Sequence, residues 1–120
     1  MIASILINSK NIENLEKVFN SYESNADNPK SFEIIVNIDK ENIEIKNFLE
    51  EQKQKRSFQL KYINEYEGDY FSGHINNNKM LNHISKDSYF ISCTGDRVLI
   101  KTKNWDKKLI WPLTLINQKM

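Results

Sequence analysis

Short apolar runs and segments with helical spacing alternate along most of this chain. Residues 2–7 and 32–38 are nearly continuous runs of aliphatic and β-branched side chains, which is typical of strands buried on both faces. Residues 58–63 alternate apolar and polar positions, which predicts a third strand nearer the edge of a sheet. A fourth apolar run, residues 89–93, predicts another buried strand, and it stops abruptly at residues 94–96.

The segments between these runs carry apolar residues three and four positions apart, which predicts helices over residues 11–24, 41–53 and 75–85. Strands that alternate with helices favour a parallel sheet with helical crossovers. We therefore predict an α/β fold, a three-layer Rossmann-like sandwich with a mostly parallel sheet of about four strands. No linker or internal repeat interrupts the chain, so residues 1–120 are predicted to form a single domain.

Composition narrows the class of protein. The 120 residues carry a formal net charge of +1, which disfavours a nucleic-acid binder that depends on phosphate contacts. The single cysteine, Cys93, excludes a disulfide framework and is predicted to be a buried thiol. No apolar stretch approaches the roughly 20 residues that span a bilayer, and no signal peptide is recognised, so a cytoplasmic protein without a transmembrane segment is expected.

Polar side chains follow three of the predicted strands. Asn8 and Lys10 come after the first strand, Asp39 after the second and Asp96 after the fourth. Because parallel strands end on the same side of a sheet, these side chains are expected to line one cleft, where open α/β sheets bind ligands. The alternative roles are capping of the following helices for Asn8 and Asp39, and a turn for Asp96.

Other kinds of site lack support in the sequence. His74 and His83 are nine positions apart without a carboxylate at ligand spacing, which disfavours a zinc site. The serine-hydrolase elbow, the P-loop and the dinucleotide-binding glycine motif are all absent. Trp105 and Trp111 are interpreted as core or interface anchors rather than sugar-binding platforms.

Five stretches, taken together and in order, resemble a known family. They are Ser4 to Asn11, Phe32 to Asp39, Gly68 to Asn78 with its inward asparagine matched by Asn78, Asp87 to Ile91, and Thr94 to Asp96. In this order they resemble the N-terminal, nucleotide-binding half of family 2 glycosyltransferases with the GT-A fold, over residues 3–110.

The resemblance implies transfer of a glycosyl group from a nucleotide-diphosphate sugar to an acceptor hydroxyl, with Mg²⁺ or Mn²⁺ as the cofactor. Asp96 would bind the metal and the diphosphate, and Asp39 would contact the base or the ribose. The residues that the resemblance places around the nucleotide-sugar are Asn8, Lys10, Asp39, Gly73, Asn78, Thr94 and Asp96.

The chain departs from the family pattern in two ways, at the residues around Asp96 and in the absence of a counterpart to the acceptor half. Thr94 stands where the family has the first aspartate of its Asp-x-Asp motif, and a hydroxyl is a poorer metal ligand than a carboxylate. Arg97 follows Asp96 and would pair either with the diphosphate or with Asp96 itself. The family's acceptor half, which carries the usual catalytic base, has no counterpart here, so no catalytic residue is assigned.

Of two other functions that the sequence suggests, one remains open and one is disfavoured. Residues 109–120 form an atypical apolar tail, which suggests contact with a second copy or a partner, or a strand added to the sheet. A non-catalytic interaction module that keeps the α/β core is therefore the alternative to a glycosyltransferase-like domain. A nucleotidyltransferase is disfavoured because residues 8–11 lack the glycines that such enzymes usually place after the first strand.

Overall fold

The computed structural model describes residues 1–66 and 73–109, and within that part four parallel strands form one sheet. The order across the sheet is β3-β2-β1-β4, so the first strand in the chain is a central one. The α/β prediction and the parallel sheet of about four strands are thereby confirmed. The strands are β1 (Ala3–Asn8), β2 (Phe32–Asn37), β3 (Gln59–Ile63) and β4 (Phe90–Gly95).

Three helices connect the strands, namely α1 (Ile12–Asn25), α2 (Ile43–Lys55) and α3 (Gly73–Leu81), and a 3₁₀ turn (Pro29–Ser31) precedes β2. The side chain of Asn11 caps α1 by accepting from the backbone N–H of Asn14, and Asn42 caps α2 in the same way. Asn8 and Asp39 are therefore not the caps of these helices.

Helix α3 is shorter than the predicted helix over residues 75–85. The backbone N–H of His83 donates to the carbonyl of Met80, and that of Ile84 to the carbonyl of Leu81. These bonds reach back three residues instead of four, which tightens the chain into a turn and ends the α-helix.

Both faces of the central strands are covered, which explains their nearly continuous apolar sequence. On one face α1 and α2 pack on alternate residues of β1 and β2, around a cluster of aromatic rings that includes Phe19 and Phe32. On the other face Met80 of α3 packs on Leu6 and Ile35. The side chains of all five of these residues are fully buried.

Among the described strands β4 lies at the edge of the sheet and is exposed, so the prediction of a fourth buried strand is wrong. Ile91, Ser92 and Cys93 are exposed, and only Phe90 and Thr94 are partly buried. The reason is its position, because among the described strands β4 pairs with β1 only, while α2 and α3 pack mainly on β1, β2 and β3. The Cys93 thiol is therefore exposed and not, as expected, buried.

A buried carboxylate, Glu33, holds the start of the sheet on the α3 face. It accepts from the Ser4 hydroxyl at 2.5 Å, from the Ser85 backbone at 2.7 Å and hydroxyl at 2.9 Å, and from the Lys61 ammonium at 2.8 Å. Burial raises the pKa of Glu33, but these hydrogen bonds together outweigh it, and the net pKa is lowered. The cluster anchors the segment that leads into β4.

A second buried carboxylate, Asp106, fastens the end of the described chain to the loop after α1. It accepts from the backbone N–H groups of Asp27 at 2.7 Å and Asn28 at 2.9 Å, and from the Ser31 hydroxyl at 2.8 Å. The adjacent Trp105 is buried and donates its indole N–H to the Tyr22 carbonyl. Trp105 is thus a core anchor, as predicted, whereas Trp111 lies outside the described residues.

We expect Asp106 to make stability dependent on acid. Burial raises the pKa of its carboxyl, but the hydrogen bonds outweigh this, so the pKa is lowered on folding. Because the pKa of this carboxyl is lower in the folded than in the unfolded protein, its ionisation stabilises the fold. The full contribution is present above the unfolded pKa of about 3.9, and it is lost as the pH falls through the pKa of the folded protein. Urea midpoints at pH 7 and pH 3 should therefore show Asp106→Asn to be less stable than wild type at pH 7, with a smaller difference at pH 3.

The matched control for Asp106 is Asp27→Asn, which removes an exposed carboxylate beside the same loop and leaves its backbone bond in place. We expect this variant to follow the wild type at both pH values. Equal stability of Asp106→Asn and wild type at pH 7 would contradict the proposed role.

Candidate functional site

The C-terminal ends of β1, β2 and β4 meet at one edge of the sheet. Asn8 pairs in register with Asn37 on one side and with Gly95 on the other. Asp39 and Asp96 follow directly beyond these positions. The polar residues that the sequence places after the strands therefore lie along one edge of the sheet, as the parallel topology requires, but of these residues only Asp39 lines the cavity found there.

Asp96 is fixed against the end of β1 by Ser9. The Ser9 hydroxyl donates to the Asp96 carboxylate at 2.7 Å, and the same oxygen accepts from the backbone N–H of Asn11 at 3.1 Å. Ser9 is buried, so this link ties β4 to the start of α1. Sequence reasoning missed the role of Ser9, although its place between Asn8 and Lys10 is a usable signal.

Asp39 lies at a cavity of about 570 Å³. Its carboxylate accepts from the Glu41 backbone at 3.1 Å, which forms a local turn, and its side chain is only partly buried. Tyr66 lines the same cavity, and the ammonium of Lys10 lies 4.9 Å from the centroid of its ring. The residues that line this cavity are Asp39, Lys40, Glu41, Asn64, Glu65, Tyr66 and Lys79.

A row of asparagine side chains lies at the same edge. Asn37 is fully buried and accepts from the Glu65 backbone at 3.0 Å, while Asn8 donates to the side-chain oxygen of Asn77 at 2.8 Å. Within residues 1–66 and 73–109, two buried side-chain atoms have no hydrogen-bond partner, the Asn37 Nδ2 donor and the Asn8 Oδ1 acceptor. Such atoms are uncommon in folded proteins because their desolvation is not compensated.

The asparagines of α3 that face the sheet are Asn76 and Asn77, and not Asn78. Asn78 is exposed, whereas Asn76 is buried and Asn77 contacts β1. Met80 sets this orientation, because side chains three and four positions before it share its face of the helix and the one two positions before it does not. The orientation expected for Asn78 is therefore wrong, and its contact with a nucleotide stays a prediction.

The other predicted residues are placed as follows. Gly73 begins α3, Thr94 is partly buried beside Ile7 in the sheet, and Arg97 is exposed. The glycine loop that includes Gly68 and most of the apolar tail lie outside the described residues, at 67–72 and 110–120. Contacts of these residues with a nucleotide, a metal or a second copy remain predictions.

The chemistry of the edge suits a cation that is shared with a ligand. Within residues 1–66 and 73–109 no group of three metal-binding side chains is found. Asp96 supplies one carboxylate and Thr94 a hydroxyl. Mg²⁺ in nucleotide sites usually takes one or two carboxylates and fills its other positions with phosphate oxygens and water, so Asp96 fits such a shared ion.

Solved structures of S. aureus TarS, a GT-A family 2 glycosyltransferase, are similar to this chain. TarS 1-349 in complex with UDP matches 98% of the chain at 20% identity with a TM-score of 0.64. TarS 1-349 alone gives 19% identity and a TM-score of 0.66, and TarS gives 18% and 0.67. The chain has a GT-A-like fold.

The GT-A-like chain spans 32% of the length of TarS 1-349 and 20% of that of TarS. No family model matches the sequence, and no curated protein matches it significantly. Among the described residues, none of the helices is both long and apolar enough to cross a membrane. The likeness therefore concerns the fold, and what the polar edge binds is a separate question.

Proposed function

We propose that this GT-A-like chain binds a nucleotide-diphosphate sugar at the polar edge of its sheet. In a full enzyme this site would present the donor for metal-assisted transfer of a glycosyl group to an acceptor hydroxyl. The observation that carries the proposal is the meeting of Asn8, Asp39 and Asp96 at the carboxyl ends of parallel strands, beside a cavity. A TarS structure of the same fold is a complex with UDP.

The two carboxylates have different tasks in this proposal. The Asp39 carboxylate offers acceptor oxygens, so it suits the N–H of a base or the hydroxyls of a ribose. Asp96, oriented by Ser9, would hold a divalent cation together with the diphosphate. When bound, that cation would neutralise the charge that develops on the diphosphate as the glycosyl bond breaks.

Lys10 and Asn8 complete the site. The flexible, exposed Lys10 ammonium is suited to meet a phosphate as a point charge. Asn8 is partly exposed, and its amide links the strand end to Asn77 of α3 beside the proposed site. Asn8 ends β1, and Lys10 lies two residues later in the short connection to α1.

Calorimetric titration with UDP and Mn²⁺ tests the proposal. We expect saturable binding to the wild type, and Asp96→Ala to weaken it by roughly tenfold or more, because the cation loses its protein carboxylate. With EDTA in place of Mn²⁺, the difference between the two proteins should shrink.

The matched control for Asp96 is Asp87→Ala. Asp87 is an exposed carboxylate shortly before β4, at the opposite end of the strand, where it pairs with the N-terminal ammonium. We expect this variant to bind UDP as the wild type does. Absence of binding by the wild type to UDP, UDP-glucose and UDP-N-acetylglucosamine would refute the proposal for uridine nucleotides.

A non-catalytic interaction module is the second candidate, and the exposed apolar residues around β4 favour it. Tyr89, Ile91, Val98 and Leu99 are exposed, next to a cavity of about 280 Å³ lined by Phe90, Trp105 and other apolar side chains. The UDP titration separates the two candidates when it is combined with sedimentation. A self-associating chain without nucleotide affinity would favour the interaction module.

A further inference from the structure

Tyr66 is the aromatic side chain in the lining of the 570 Å³ cavity, and the backbone around it is well fixed. Its N–H donates to the Ile38 carbonyl at 3.2 Å, and the Ile38 N–H donates to the Ile63 carbonyl at 2.9 Å. The preceding N–H, that of Glu65, donates to the buried Asn37 side chain at 3.0 Å. These bonds continue the sheet pairing past the strand ends and hold Tyr66 beside the residue that precedes Asp39.

The cavity therefore combines a flat ring with a carboxylate. A planar heterocycle can stack on an aromatic face, and a carboxylate beside it accepts a hydrogen bond from an N–H at the edge of that heterocycle. A nucleobase with an N–H donor, such as uracil, has both features. The other side chains of the lining are polar or charged, so Tyr66 is their aromatic complement.

Lys10 covers the ring in this structure. Its ammonium lies 4.9 Å from the ring centroid, and the rest of the side chain is exposed. An exposed cation–π contact favours the contacting state by about two- to fivefold in its equilibrium constant. Stacking of a base on an aromatic ring favours the stacked state by roughly 5- to 150-fold. A base should therefore displace Lys10 from the ring.

Displacement has a second effect, because Lys10 lies between β1 and α1 at the edge that also carries Asp96. The released ammonium is free to approach the phosphates of the nucleotide. The Lys10 ammonium thus contacts the Tyr66 ring in the free protein and a phosphate group in the nucleotide complex.

We propose that Tyr66 is the base-stacking residue of the site and that Lys10 is its displaceable cover. The ligand class is a nucleotide whose base offers an N–H donor to Asp39. This inference rests on the proposed nucleotide binding and adds a binding residue and an exchange of contacts to it.

Calorimetric titration of the 120-residue chain tests the stacking role. The ligands are UDP and inorganic diphosphate, both with Mn²⁺, and the variants are Tyr66→Leu and Tyr66→Phe. We expect Tyr66→Leu to lose roughly 5- to 150-fold in affinity for UDP and to bind inorganic diphosphate as the wild type does. Tyr66→Phe keeps the ring and should bind UDP within about twofold of the wild type.

The exchange of contacts is tested with Lys10→Met and uridine, which has no phosphate. Removal of the ammonium frees the ring, so affinity for uridine should rise about two- to fivefold, while affinity for UDP should fall. Lys53→Met is the matched control, because the Lys53 ammonium lies 4.7 Å from the Tyr62 ring centroid, in a pair of the same kind outside the cavity lining. It should leave both affinities unchanged.

The outcomes are distinguishable when thermal melting shows each variant to be folded. UDP binding by the wild type and, within twofold, by Tyr66→Leu would overturn the stacking role while the proposed function stands. Unchanged affinity of Lys10→Met for uridine would overturn the covering role. Absence of UDP binding by the wild type would overturn both the proposed function and this inference.

Discussion

Replacement of Glu33 by leucine is expected to lower the free energy of unfolding by about 3–5 kcal/mol. The side chain is fully buried and accepts from Ser4, Ser85 and Lys61. Leucine removes the acceptor that the Ser85 backbone N–H and the Ser4 hydroxyl use. It also removes the ion pair with the partly exposed Lys61, whose ammonium keeps the His83 carbonyl and solvent. Urea unfolding followed by far-UV circular dichroism measures the loss.

A double variant makes the test of Glu33 sharper. Glu33→Leu combined with Lys61→Met removes both charges, so we expect the double variant to be more stable than Glu33→Leu alone, since the partly buried ammonium no longer lies beside an apolar side chain. Glu44→Leu, at an exposed position in the first turn of α2, is the control and should change stability by less than about 0.5 kcal/mol. A loss below about 1 kcal/mol for Glu33→Leu would contradict the structural role given to this cluster.

Replacement of Trp105 by alanine is expected to cost about 3–5 kcal/mol of unfolding free energy. The indole is buried between two aromatic rings, with centroids 5.2 Å from Tyr22 and 4.8 Å from Phe32. Its N–H also donates to the Tyr22 carbonyl at 3.0 Å. Alanine would leave a cavity beside β2 and remove the indole packing that holds the adjacent Asp106 in position.

The variant Trp105→Phe separates the contribution of aromatic packing from that of the indole hydrogen bond. It retains an aromatic ring against Tyr22 and Phe32 but cannot donate the hydrogen bond, so a loss of about 1–3 kcal/mol is expected, smaller than that of Trp105→Ala. Thermal and urea unfolding of the three proteins should give the order wild type, Trp105→Phe, Trp105→Ala. Equal stability of wild type and Trp105→Ala would show that the last described turn is not part of the core.

The sequence pattern was sufficient for the strands, most of the helix bounds and the parallel topology. Residues 2–7 and 32–38 have apolar side chains on both faces, and only a strand covered on both sides requires that pattern. The run at residues 89–93 is equally apolar, yet β4 is exposed. Local sequence does not encode which neighbours cover a strand, and the place of β4 at the edge depends on the sheet order.

The placement of the candidate residues was predicted in part for a similar reason. Asn8, Asp39 and Asp96 were correctly placed at one edge of the sheet, because strand ends are visible in the sequence and parallel strands end on the same side, while their contacts with a ligand stay a prediction. Asn77 was missed because the rotation of α3 about its axis depends on how Met80 packs. Asn37 carried a usable signal in the sequence, since a polar amide inside a buried run needs hydrogen-bond partners or a function. Tyr66 carried no such signal, because residues that follow a strand have no periodic pattern.

The central position of β1 has a consequence for how this protein folds. Strand β1 and its partner β2 are close along the chain, whereas β1 and β4 are separated by most of the described chain. Closing a longer loop costs more conformational entropy, so we expect the pairing of β1 with β4 to form later than that of β1 with β2. The Ser9–Asp96 bond spans a similar separation, so we expect the strand edge that carries the proposed metal ligand to be completed after the half that carries Asp39.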